Sequence, residues 1–149
     1  YLVIHVLGVS PFKPIDVLPP ILNFRYGENR GINFGLLGDN TSVWALIAVA
    51  VVICAGVLWW MMKYPQPPLA RASAGLLIGG ALANVLDRVL YGYVLDFLNM
   101  SCCGIDNPFV FNVADIFIFA GAIGLVFFGQ EGGPRKPGRT KKTGVQKDG

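Results

Sequence analysis

Ser42 to Met62 is an unbroken run without a charged side chain. As a helix it is long enough to cross the roughly 30 Å hydrocarbon core of a bilayer, and no feature of the chain restricts its fold more. Trp44, Trp59 and Trp60 stand near its two ends, where interfacial aromatic belts form. Two further apolar stretches follow, at about 69–87 and 109–128. The second is rich in small residues, and Gly75, Gly79 and Ala83 recur every four positions, a spacing that predicts close helix packing. The third, FVFNVADIFIFAGAIGLVFF, carries the carboxylate of Asp115 inside the run. Charged residues are 14% of the chain, against about 25% in soluble domains. These features predict an all-α membrane helix bundle with three full transmembrane helices, at about 42–62, 69–87 and 109–128.

Residues 1–41 read differently. YLVIHVLGV is too short to span, four prolines between Pro11 and Pro20 exclude a long helix after it, and ILNFRY has the character of a strand. This part predicts a small extracytoplasmic module of strands and loops. Together with the spans it forms one membrane-embedded domain, 1–128. Residues 129–149 predict a disordered basic tail: six of the twelve Lys and Arg side chains lie in the last fifteen positions. The positive-inside rule places that tail in the cytoplasm, the 63–71 loop also inside, and residues 1–41 and the 88–108 loop outside. A basic tail without a basic folded face does not indicate a nucleic-acid binder. Cys54, Cys102, Cys103 and His5 have no metal-ligand spacing, so no metal site is expected.

A carboxylate within or beside a span is costly and tends to face a wet cavity. Asp87, Asp96 and Asp115 border the outer ends of the second and third stretches. In NVLDR, Asn84 and Asp87 share a helical face, with Arg88 one turn from Asn84. FNVAD sets Asn112 and Asp115 three apart in the same way. Asp96 comes from the connecting loop in GYVLDF. Asp87 has Arg88 beside it, whereas Asp96 and Asp115 have no basic residue within four positions. Two such carboxylates suit a dyad that shares one proton and activates water. A proton or ion pathway uses membrane carboxylates too, and the residue types alone leave a transporter or proton-conducting subunit as the alternative.

GGALANVLDR (Gly79–Arg88), GYVLDF (Gly92–Phe97), FNVAD (Phe111–Asp115) and ENRGINFG (Glu28–Gly35), in this order and on these segments, resemble the motifs of the lipoprotein signal peptidase (signal peptidase II) family. The likeness extends over nearly the whole chain to about Gly129. It implies a cofactor-free, four-helix aspartyl endopeptidase of the bacterial cytoplasmic (inner) membrane, with its active site toward the extracytoplasmic side. Such an enzyme cuts prolipoproteins before the diacylglyceryl-modified cysteine and is inhibited by globomycin. The resemblance further implies that Asp96 and Asp115 are catalytic and that Asn29, Asn84, Arg88 and Asn112 hold substrate. Asp87, Gly31 and Ala114 would support them. Ala83 stands where the family commonly has a glycine. The family's first helix, with its aspartate and lysine, would end about where Tyr1 stands, so it is expected to be largely missing from this sequence.

Overall fold

A computed structural model describes residues 2–19, 21–31, 39–101 and 107–130. The Cys102–Cys103 pair, the 32–38 stretch and the basic tail from 131 lie outside the described residues. A π-helical turn, Leu2–Val6, precedes strands β1 (Ile15–Leu18) and β2 (Leu22–Asn29). Helices α1 (Asp39–Lys63) and α2 (Pro68–Tyr91), strand β3 (Val94–Asn99) and helix α3 (Val113–Phe128) follow.

The apolar runs become the helices. Two of them, Val43–Lys63 and Pro68–Tyr91, are long and apolar enough to cross a membrane. Pro67 and Pro68 open α2, where a missing N–H costs nothing. The helix continues to Tyr91, four residues past the expected end, so Asp87 and Arg88 sit in its last turns. The third run is used in two ways. Its first residues are extended, and Phe111 bridges Leu98. The helix starts only at Val113 and has 16 residues, about 24 Å at 1.5 Å per residue.

The sheet has the order β1-β2-β3, both pairs antiparallel. The last strand corrects the sequence reading in two respects. Asp96 lies on β3, not in a loop, and the strand module is built from both sides of the helix pair. Gly27 faces Asp96, and Asn29 faces Val94, across β2 and β3. The link to α3 is fastened to β3 by its backbone: Phe97 and Leu98 N–H both donate to Phe111 O, at 3.0 and 2.7 Å. Asn99, fully buried, donates from Nδ2 to the carbonyls of Asn107 and Phe109. An unmatched buried amide is expensive, so these bonds set the path of the link.

The main packing surface lies between α2 and α3. Ala70, Ser73, Ala74, Leu77, Gly80 and Ala81 are the buried residues of α2, and Ser73, Leu77 and Gly80 meet α3, which turns Gly121 and Gly124 toward them. A Cβ built on Gly121 would stand 2.5 Å from both Leu77 N and Ser73 O, so the two backbones approach as only glycine allows. The sequence reading placed the packing stripe at Gly75, Gly79 and Ala83. The structure corrects it: all three are exposed, and a Cβ on Gly75 or Gly79 meets nothing within 4 Å. At 100° per residue, the buried 70-73-77-81 row is turned away from the 75-79-83 row. α1 packs more lightly on α2 and leaves Trp44, Val52, Trp59 and Met62 exposed. At the far end, Gln66 is buried and exchanges two bonds with the Gln130 backbone, at 2.9 and 3.0 Å. This closes the α1–α2 loop onto the end of α3.

Gly121→Val is expected to destabilise the chain by about 1–3 kcal/mol through overpacking. Gly75→Ala should be neutral or stabilising by up to about 1 kcal/mol, from helix propensity. Thermal unfolding of both variants in detergent micelles measures the contrast.

Candidate active site

The site forms where three elements meet: the end of α2, the middle of β3 and the first turn of α3. Its centre is Asn112, the N-cap of α3, which is buried. Its Oδ1 accepts from Asp115 N at 3.0 Å, and its own N–H donates to Asp115 Oδ2 at 3.1 Å. This reciprocal capping box satisfies backbone donors that a helix start leaves open. Residues three apart in FNVAD therefore become a fixed pair. The carboxylate of Asp115 also lies at the positive end of the α3 dipole.

The Nδ2 group of Asn112 has two partners. It donates to Asp96 Oδ1 at 2.8 Å and to Asn84 Oδ1 at 3.2 Å. Asn84 in turn donates from Nδ2 to Asp115 Oδ1 at 2.8 Å. The two carboxylates are thus joined through two amides, Asp96–Asn112–Asn84–Asp115. Every donor in the chain faces an acceptor, so the side-chain orientations are determined.

Asp96 is 4% exposed. Burial is the main cause that raises its pKa from 3.8 to about 6, and the charge of Asp115 adds to the rise. Hydrogen bonds from Asn112 and Asn29 and the positive charge of Arg88 oppose it. Arg88 also lies within electrostatic reach of Asp115 and Asp87. Its Nη1 donates to Asn84 O at 3.3 Å, while its buried Nε has no partner among the described residues. Asp87 accepts a long 3.5 Å bond from Leu95 N and so ties α2 to the outer edge of β3. Ala114 leaves its carbonyl against Gly80, where a Cβ would come within 2.5 Å. Asn29 ends β2 and accepts from Gly31 N at 3.1 Å, and Gly31 takes φ +91°, a turn that favours glycine.

The candidate site residues from the sequence therefore fall at or beside this junction. Two contributors were not singled out. Asn99 directs the link that delivers Asn112, and no local pattern marks it. Gly27 lies opposite Asp96; a glycine inside a strand pattern signals close backbone approach, and that signal was present in RYGEN. The site adjoins two spaces. An apolar groove of about 300 Å³ runs between α2, α3 and the π-helical turn, past Leu86, Leu90, Phe97, Asn84 and Asn112. A cavity of about 380 Å³ on the strand side includes Asp96 in its wall.

The raised pKa of Asp96 has a sign. Between pH 3.8 and about 6 the folded chain holds a proton that the unfolded chain has released, so stability falls as pH rises through this window and is level above it. Asp96→Asn is expected to remove this dependence. It should also stabilise the chain at pH 7.5 by on the order of 2 kcal/mol, as read by thermal unfolding at pH 4 to 8.

The family model and the curated relatives agree on one family. A family model described as signal peptidase (SPase) II matches residues 2–129. The lipoprotein signal peptidase of Clostridium acetobutylicum is 38% identical over 125 residues, covering 81% of this chain and 80% of that protein. The lipoprotein signal peptidase of Caulobacter vibrioides is 39% identical over 121 residues, covering 80% and 70%. A bacterial membrane enzyme solved by the in meso method at 1.9 Å resolution superposes with a TM-score of 0.71 at 29% identity, covering 84% of this chain and 79% of that one.

Proposed function

Because this chain belongs to the signal peptidase II family, we propose that it removes signal peptides from bacterial prolipoproteins by cutting before the diacylglyceryl-modified cysteine. The observation that carries the reading is the pairing of Asp96 and Asp115 through the amides of Asn112 and Asn84. An isolated helix-cap aspartate needs no second carboxylate; a water-activating dyad does.

In this reading the dyad shares one proton, with Asp96 the carboxylate whose surroundings favour holding it. A water between the two loses a proton to the ionised carboxylate as its oxygen attacks the scissile carbonyl carbon. The protonated partner donates to the carbonyl oxygen as it gains charge. The tetrahedral intermediate then collapses, the carbon–nitrogen bond breaks, and the amine of the modified cysteine leaves with a proton from the dyad. Asn84 and Asn112 hold the carboxylates in register, so little reorganisation is required at the reacting step. The Nε of Arg88, without a partner among the described residues, would serve a substrate carbonyl, and Asn29 the peptide backbone at the outer rim.

The two adjoining spaces suit an amphiphilic substrate. The apolar groove would take the diacylglyceryl chains, and the strand module would clamp the peptide. In this arrangement α1, α2 and the shorter α3 span the inner membrane, with the sheet on the extracytoplasmic side. Globomycin would bind in the same place as the substrate. The transporter alternative gains no support from the family match.

Asp96→Asn and Asp115→Asn are each expected to lower cleavage of a diacylated prolipoprotein by at least about 1,000-fold, the loss of one member of an acid–base pair. A gel-shift assay in detergent, with and without globomycin, measures this. Normal cleavage by either variant overturns the dyad.

A further inference from the structure

The dyad chemistry accounts for the groove but not for the second cavity. That cavity is walled by Gly27 to Gly31 of β2 and its turn, by Asp96, and by Pro108 to Val110. Its character is polar: it holds the Asn29 amide and the Glu28–Arg30 ion pair at 2.7 Å. It lies on the strands rather than between the helices. A lipidated substrate has three parts at its cut, namely an apolar signal segment, the acyl chains and a polar mature chain. A groove between apolar helices suits the first two. A polar cavity on the sheet suits the third.

Resting on the peptidase reading above, we propose that this cavity is the subsite for the residue immediately following the lipid-modified cysteine, and that Gly27 sets the largest side chain it admits. Gly27 pairs with Asp96 across β2 and β3. A Cβ at position 27 would lie 3.7 Å from Asp96 Cβ and 3.4 Å from Val110 Cβ. A methyl group there makes ordinary contact, and anything larger extends into the space between Asp96 and Val110. Gly27 is not among the glycines with positive φ, so a side chain there changes the room without straining the backbone. The rim of the cavity at Glu28 and Arg30 is braced. Tyr26 Oη and Arg30 both donate to Glu28, at 2.9 and 2.7 Å, and the Arg30 guanidinium lies 5.1 Å from the Tyr93 ring. A wall held in this way yields little when the cavity is filled.

The test uses the full chain in detergent micelles with two series of diacylglyceryl-cysteine peptides. One series varies the residue after the cysteine (Ala, Leu, Trp), and the other varies the residue before it. Gly27→Val should lower kcat/KM on the Trp peptide by at least about 30-fold more than on the Ala peptide, the range that pocket-size changes produce. Val110→Ala enlarges the same cavity from its other wall and should shift preference toward the larger residues; it decides the matter alone if Gly27→Val does not fold. Size-blind losses in both variants, or selectivity confined to the residue before the cysteine, overturn the subsite and leave the peptidase reading standing. No cleavage of any peptide by the unaltered, folded full-length protein overturns that reading as well.

Discussion

One side chain holds the structure's working part together. Asn112 uses its amide oxygen to start α3 and its amide nitrogen to reach Asp96 and Asn84. Start of helix, position of strand and end of neighbouring helix are therefore set relative to one another at a single buried point. An amide suits this place because it offers a donor group and an acceptor at once. An aspartate would cap the helix equally well but would bring a third negative charge toward Asp96.

Around that point the chain divides its work by polarity. The α2–α3 surface consists of small residues packed backbone to backbone, and polar bonds cluster at one end of it. Between helices surrounded by lipid there is little hydrophobic gain in association, so close packing and interhelical bonds supply the cohesion. The glycines of α3 let α2 come near enough for Asn84 to reach Asp115. Packing at Gly121 and the Asn84–Asp115 hydrogen bond are thus parts of one helix contact.

Much of this was legible in the sequence, and the remainder was hidden for identifiable reasons. The apolar runs could be read because membrane compatibility sums along a segment. The Asn–Asp pairs could be read because a spacing of three has one meaning on a helix. Strand β3 could not: VLDFLN has no clean alternation, and what makes it a strand is its partner β2, far upstream. The start of α3 moved from 109 to 113 because Phe111 is held by β3, again a distant partner. The small-residue stripe was misplaced because α2 carries small residues on more than one face, and a helix does not state which face meets its neighbour.

The amide chain across the site also bears on how such a protein can vary. A residue that only touches a ligand can be exchanged at the cost of that contact. Asn112 and Asp115 cannot, because each also completes the first turn of α3, and Asn84 lies between them. An inhibitor whose contacts fall on these three side chains would meet a surface with few viable escape routes. One that depends on the rim around Glu28 and Arg30 would meet exposed side chains that complete no helix turn, where more substitutions are open. The architecture therefore separates durable targets from transient ones between two adjoining spaces.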